Sequence, residues 1–256
     1  MLEIDLSGRR ALVTGAGQGV GRQIAVALAE AGALVVVNDR LEERAVATAA
    51  DLAAAGGRAG VSVFDVTDWP AVTAAVDTIG DIDILVNNAG KSGTAGFTLR
   101  AVVDSQPADW EPFLRVNLYG VMYCTRAALP GMVAREHGRV ITIISDSARV
   151  GDANMAAYAA AKAGAAGFCR SVASEVGRFG VTVNCVALGT MRTPLTGLDL
   201  EDDEPARVRS LLRGYAIRRR GDPEDVAGLV ALLASAHGNW ITGQTIPVNG
   251  GRSMAQ

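Results

Sequence analysis

Between an apolar run, Arg10–Thr14, and an amphipathic stretch, Gly19–Ala31, the chain reads Thr14-Gly15-Ala16-Gly17-Gln18-Gly19-Val20-Gly21. The first run reads as a strand and the second as a helix, so Gly15, Gly19 and Gly21 fall in the turn joining them. Glycine there permits tight turning and close backbone approach to a pyrophosphate, which then rests on the helix N-terminus. The spacing is G-x-x-x-G-x-G, not the G-x-G-x-x-G of the commoner dinucleotide fold. A glycine cluster alone is often only a turn. The strand before it and the helix after it make this one a dinucleotide phosphate site, completed by Gln18 and Val20.

The same alternation of short β-branched runs and Ala-rich amphipathic stretches continues along the chain. Strands are expected at 34–38, 59–64, 82–86, 139–144, 181–186 and 245–248, besides the first. Helices are expected at 41–55, 69–79, within 108–135, at 156–178 and at 223–235. This β-α-β repetition predicts an α/β fold: a doubly wound parallel sheet of about seven strands between two helical layers, with right-handed crossovers. No linker or composition break divides residues 1–256, so one domain is expected. The least regular stretch, about 189–215, contains Pro194, Gly197 and the acidic run Glu201-Asp202-Asp203-Glu204. It reads either as a solvated helix start or as a mobile lid over a substrate.

Composition narrows the partners. Hydrophobic residues make up 49% of the 256 and aromatic ones only 5%, a core of Ala, Val, Leu and Ile suited to a sheet covered on both faces. The net charge of −3 without a basic tract argues against nucleic acid or an anionic membrane as partner. No apolar run reaches the length of a membrane span, and the start of the chain lacks a signal-peptide layout, so a cytoplasmic location is expected. Cys124, Cys169 and Cys185 have no metal spacing and read as reduced interior residues. His137 and His237 lie away from the motifs, and no metal is expected.

Strand two ends at Asn38-Asp39-Arg40. An acid at this point can accept hydrogen bonds from both adenosine ribose hydroxyls and would repel a 2′-phosphate, so Asp39 points to NAD. Arg40 cuts the other way, since a guanidinium can pair with that phosphate; Asp39 as a mere helix cap is the blander alternative. Asp65-Val66 and Asn87-Asn88-Ala89-Gly90 follow strands three and four, where ligands bind an open α/β sheet, although both are also ordinary turn sequences.

Tyr158 and Lys162 stand four apart on one Ala-rich helix and so share a face. An ammonium near a phenol favours phenolate, and a tuned tyrosine can exchange a proton with a substrate oxygen while hydride moves at the adjacent carbon. Ser145 ends strand five, where its hydroxyl can bond the oxygen that changes charge. Ser147 is a competing candidate.

In this order the motifs resemble the short-chain dehydrogenase/reductase family, compact single-domain type, over essentially the whole length. They are T-G-x-x-x-G-x-G at 14–21, N-N-A-G at 87–90, Ser145, Y-x-x-x-K at 158–162 and V-N-G-G at 248–251. The resemblance implies Tyr158 as acid/base, Ser145 as partner of the substrate oxygen, and Lys162 on the nicotinamide ribose. It implies that Asn117 holds a water behind that lysine, that Asp65, Val66 and Asn88 contact the adenosine side, and that Met191 and Thr193 contact the nicotinamide end. One departure is visible: Leu188-Gly189 replaces the usual Pro-Gly, which removes a fixed φ from the base of the nicotinamide loop. The family usually forms tetramers through the helix carrying Gly164, Ala165, Ala166 and Gly167, so a homotetramer is expected, although small residues also serve dense packing on the helix's own sheet.

A protein that only senses the nucleotide would tolerate loss of Tyr158 or Lys162, and both are present. A sugar-nucleotide epimerase or dehydratase needs a larger C-terminal substrate domain than the residues after Lys162 supply. Among alcohol/ketone substrates, the segments 138–143, 145–151 and 158–164 resemble the 3-oxoacyl-thioester reductases and hydroxyacyl-CoA dehydrogenases of the family. Expected pocket walls at 91–98, 146–155 and 191–215 supply Phe97, Met155, Leu195, Leu198 and Tyr215. These suit an acyl or ring substrate better than a polyol. Arg149, Arg192 or Arg218-Arg219-Arg220 are candidates for a CoA phosphate, or are simply solvated. The reading is NAD-linked interconversion of a 3-hydroxyacyl and a 3-oxoacyl thioester, with a steroid or other cyclic alcohol as the alternative.

Overall fold

Seven runs of small and β-branched apolar residues pair as strands: β1 (Arg10–Val13), β2 (Leu34–Asp39), β3 (Arg58–Val63), β4 (Ile84–Asn87), β5 (Gly138–Ser145), β6 (Val181–Leu188) and β7 (Thr245–Val248). The computed structural model describes residues 3–91, 100–193 and 206–254. All neighbouring strands are parallel, in the order β3-β2-β1-β4-β5-β6-β7. The order reverses direction between β1 and β4, which opens a crevice beyond their carboxyl ends.

Period-2 geometry decides where each strand residue goes. Ala11 and Val13 pack with Ile24, Ala25 and Leu28 in one core, whereas Leu12 joins Leu85, Val140 and Val183 in the other. The first core is covered by α1 (Gly19–Glu30), α2 (Glu42–Ala54) and α9 (Glu224–Ala234), the second by α3 (Trp69–Ile79), α5 (Gly120–Ala134) and α7 (Ala156–Val176). Each fully buried Leu or Ile contributes about 1.5–3 kcal/mol. Strands β5 and β6 are buried along almost their whole length, while Arg58, Val61 and Val63 of the edge strand β3 are exposed. Pro247, lacking an N–H for the ladder, sits in the other edge strand.

Several boundaries depart from the sequence expectations. Strand four begins at Ile84, not Ile82, and β6 runs on to Leu188, paired with both Ser145 and Val248. The helix expected within 108–135 is two helices, α4 (Pro107–Leu114) and α5, joined by a π turn at Arg115–Tyr119. A short α6 (Ser147–Val150) follows Ser145, and α8 (Ala206–Leu212) lies in the stretch read as irregular. The acidic run 201–204, Pro194, Gly197, Phe97, Leu195 and Leu198 lie outside the described residues, and so does most of the expected lid. Among the described residues, no helix is long and apolar enough to cross a membrane.

Candidate active site

The glycine turn lies over the crevice. Gly15 and Gly19 adopt φ of +61° and +56°, which a side chain disfavours. Gln18 is extended and precedes α1 without a side-chain cap, and α1 has no acid in its first turn. Its N-terminal amides and positive dipole end therefore remain available to an anion, the property a pyrophosphate site needs. Val20 and Gly21 turn inward, and Gly21 lies against the Asn88 amide. That amide donates to Thr14 O (2.9 Å) and Gly15 O (3.0 Å), while Thr14 Oγ1 accepts from the N–H groups of Asn88 and Ala89 at 3.1 Å each. Asn88 thus holds the turn to the end of β4.

Asp39 is 8% exposed. Its Oδ1 accepts from Leu41 N at 3.1 Å, which realises the capping alternative in part. Its Oδ2 faces the turn: a Cβ at Gly17 would stand 2.6 Å from it and 2.6 Å from Arg44 Cβ. Gly17 was not among the expected site residues, because it lies off the motif spacing; only its contact with β2 reveals its need for glycine. Asn38, buried behind it, donates to Ser62 O and Phe64 O and locks the ends of β2 and β3 together. The exposed Asp65 accepts from Thr67, and Val66 is buried where a Cβ on Gly120 would touch it. Burial and then Arg40 lower the Lys91 ammonium's pKa, and Asp65 opposes them.

Tyr158 and Lys162 stand one turn apart on α7, 9% and 4% exposed. The Tyr158 phenol is hydrogen-bonded with Ser145, and its ring meets Phe113 edge-on at 6.3 Å. Ser145 is therefore the serine joined to the tyrosine, and Ser147, the competing candidate, is joined to Asp152. Lys162 Nζ donates to Ile143 O at 2.8 Å, and a Cβ on Gly90 would lie 3.3 Å from it and 3.0 Å from Asn117 Oδ1. Asn117, inside the π turn, accepts from Lys91 N (3.1 Å) and donates to Lys91 O (3.0 Å) and Phe113 O (3.1 Å). A π turn at such a place is a common companion of functional sites.

The dryness of this face opposes ionisation of both side chains. In the protein alone Tyr158 is shifted upward, first by burial, with the Ser145 hydrogen bond opposing and Asp152 adding to the rise. Burial also lowers Lys162 to about 8, and its ammonium is committed to a backbone carbonyl. Spacing alone placed the two side chains on one face; it carried no measure of how dry that face is.

The nicotinamide end is built from distant pieces. Thr193 packs over Gly19, and Met191 bridges to Gly221. Leu188, despite replacing proline, is held in the ladder, and its carbonyl accepts from Asp146 N at 2.8 Å. Thr190 bonds the Tyr215 hydroxyl through N (3.1 Å) and Oγ1 (2.9 Å), so Tyr215 braces this segment. Asp146, fully buried, accepts from Arg149 (2.8 Å), Ser253 (2.8 Å) and Asn249 (3.1 Å). Arg149 is thereby engaged in an ion pair within the fold. A cavity of about 270 Å³ is lined mainly by apolar groups including Trp110, Phe113, Leu114, Met155 and Tyr158, with Arg100 and Asp109 among its polar members. Among the described residues no group of three or more His, Cys, Asp or Glu could hold a metal ion.

This arrangement has close counterparts. A family model described as enoyl-(acyl carrier protein) reductase matches residues 15–253. The chain is 40% identical to the (2S)-[(R)-hydroxy(phenyl)methyl]succinyl-CoA dehydrogenase subunit BbsD of Thauera aromatica, over 98% of this chain and 99% of that one. It superposes on the crystal structure of a gluconate 5-dehydrogenase from Burkholderia cenocepacia J2315 in complex with NADP and tartrate, with TM-score 0.90, 37% identity and coverage of 99% and 98%. It also superposes on a 3-oxoacyl-[acyl-carrier protein] reductase with bound NAD from Brucella melitensis, with TM-score 0.90, 32% identity and coverage of 99% and 95%. The chain belongs to the short-chain dehydrogenase/reductase family and is an oxidoreductase of the secondary alcohol/ketone pair.

Proposed function

We propose that the protein interconverts a 3-hydroxyacyl and a 3-oxoacyl thioester with NAD(H). The observation that carries this reading is the Ser145–Tyr158 hydrogen bond, taken with an apolar cavity that has Tyr158 in its lining. Trp110, Phe113 and Met155 offer an acyl or aryl group contact area and few hydrogen bonds, the opposite of what a polyol needs. The names of two similar proteins, a hydroxyacyl-CoA dehydrogenase and a 3-oxoacyl reductase, support the thioester over a cyclic alcohol.

The nucleotide supplies the hydride acceptor or donor when bound. Gly15, Gln18, Gly19, Val20 and Gly21 would hold its pyrophosphate, and Asp39 its adenosine ribose. Asp65, Val66, Asn88 and Gly90 would line the adenosine side, and Met191 and Thr193 the nicotinamide end. The inward-facing Asp39 carboxylate favours NAD. In oxidation Tyr158 takes the proton of the substrate hydroxyl at its phenol oxygen; in reduction it returns the proton. Ser145 donates a hydrogen bond to the same substrate oxygen, and Lys162 holds the nicotinamide ribose. Asn117, whose amide is tied to Lys91 and Phe113, fixes the 90–91 backbone beside that lysine and supports a water there.

The whole chain acts as one domain in this reading, with the segment 189–215, which includes α8, covering the substrate. The unpaired cysteines support a cytoplasmic location. Exposed Gly164 on α7 and the fully exposed Trp240 support assembly as a homotetramer. Steady-state assays of acetoacetyl-CoA, longer 3-oxoacyl thioesters, a ketosteroid and a ketose, each with NADH and NADPH, test the substrate. Thioester turnover exceeding the others is the expected result; robust ketosteroid or ketose turnover without thioester activity overturns it.

A further inference from the structure

Behind the Ser145–Tyr158 bond a chain of polar contacts leads away from the substrate. Ser145 Oγ lies 3.2 Å from Ser147 Oγ and accepts from Ser147 N at 3.2 Å. Ser147 Oγ donates to one oxygen of Asp152, and Arg252 donates to the other. Arg252 also hydrogen-bonds the Tyr215 hydroxyl, which is anchored on Thr190. Side chains of Arg252 and Asp152 are only 17% and 23% exposed, so water screens their charges less than on an open surface.

Of the other charges around Tyr158, Asp146 is paired with Arg149, Asp109 across the cavity faces Arg100 at 3.9 Å, and Lys162, one helical turn away, donates to Ile143 O. The Asp152 carboxylate acts on the Tyr158 phenol, where it opposes phenolate. A carboxylate there, left alone, would hold the tyrosine protonated; a guanidinium on its far oxygen cancels much of that field.

We propose that Asp152 and Arg252 act as a charge-balanced pair of positioning residues that orients Ser147 and Ser145 and sets the pH at which Tyr158 becomes a base. The proposal rests on Tyr158 being the acid/base. The C-terminal segment that follows Asn249-Gly250-Gly251 thereby joins the chemistry without touching substrate.

The test compares Arg252→Gln, Asp152→Asn, the double variant and Arg252→Lys in two measurements. The first is the pH profile of kcat for alcohol oxidation. The second is titration of phenolate by near-ultraviolet absorbance in the protein alone, taken as the difference from Tyr158→Phe. In Arg252→Gln both midpoints should move to higher pH, which slows oxidation roughly three- to tenfold at a fixed pH on the rising limb. Asp152→Asn should move both to lower pH, the double variant should fall between the two single variants and close to the parent, and Arg252→Lys should keep the parent profile. Midpoints that stay put, or that move the same way in Arg252→Gln and Asp152→Asn, overturn the proposal. Phenolate midpoints that order as stated while turnover ignores loss of Tyr158 support the pair and overturn the acid/base reading instead.

Discussion

The two sides of the crevice achieve their geometry by different means. On the nucleotide side, the turn 14–21 is set by backbone: two positive φ values, an uncapped helix start, and an Asn88 amide spanning two carbonyls. On the catalytic side, backbone matters less than a chain of side chains from Tyr158 to Arg252, with partners 100 residues apart in sequence. The first kind of site tolerates no added atom; the second tolerates changed atoms and answers with changed charge. The difference gives each half its own failure mode.

The largest effect should come from the catalytic side. Tyr158→Phe keeps the ring against Phe113 and removes the proton carrier, so kcat should fall by about 10²–10⁴. Nucleotide affinity, measured by fluorescence titration, should stay within about threefold of the parent, because the phenol is not its main anchor. Turnover near the parent rate would mean that another group carries the proton.

Lys162 sharpens the contrast between function and stability. Its folded pKa, about 8, lies below the 10.5 of a free lysine, so folding disfavours the charged form. The penalty is fully present below pH 8 and disappears as pH rises through 10.5. Lys162→Met should therefore be inactive yet more stable at pH 7, by up to about 3 kcal/mol, with the gain fading toward pH 10.5. Thermal melts of parent and variant across that range check the sign. A variant that melts lower at pH 7 would show that the bond to Ile143 O outweighs burial.

On the nucleotide side, Gly17→Ala asks whether the backbone site is as intolerant as its contacts indicate. The new methyl would stand 2.6 Å from both Asp39 Oδ2 and Arg44 Cβ. Overpacking of that kind costs about 1–3 kcal/mol. NAD(H) affinity should drop roughly five- to hundredfold while kcat at saturation is nearly kept. Unchanged affinity would remove Asp39 from the ribose site.

How much of this was legible in the sequence follows the same divide. Gly15, Gly19, Asn88 and the Tyr158–Lys162 pair sit in short windows where spacing, strand and helix reinforce one another. The parallel sheet of about seven strands followed from the same repetition, whereas its strand order did not. Asp152 and Arg252 were not legible as site residues, because polar residues in loops are solvated by default and nothing local names a partner across 100 residues; Tyr215 was expected only as a pocket wall, and Asn249 only within the V-N-G-G motif. The π turn at 115–119 was hidden as well: a single-residue change of helical phase leaves the apolar period of 108–135 almost intact. The upward shift of Tyr158 depends on burial by α4, whose distance from α7 no sequence window contains.

Asp39→Ala should have a smaller effect, confined to cofactor choice. The parent is expected to prefer NADH over NADPH by at least about tenfold in kcat/KM, worth about 1.4 kcal/mol. Removing the carboxylate should narrow or invert that ratio, since Arg40 remains. Equal rates with both cofactors in the parent would show that Arg40 outweighs Asp39.

The smallest effect tests the brace that links the two sides. Tyr215 receives two hydrogen bonding contacts from Thr190, at 3.1 and 2.9 Å, and meets Arg252 on its other side. Tyr215→Phe keeps the ring packed on Val208 and Leu212 but leaves Thr190 without its partner, a cost of about 1 kcal/mol. Thr190 lies just before Met191 and Thr193, and Thr193 packs over the glycine turn, so the loosened segment is the one expected at the nicotinamide end. The KM for NAD(H) should rise roughly two- to fivefold, with kcat within about twofold of the parent. A fall in kcat with KM unchanged would instead mean that Tyr215 acts through Arg252 on the Ser145–Tyr158 pair, and that the brace belongs wholly to the catalytic side.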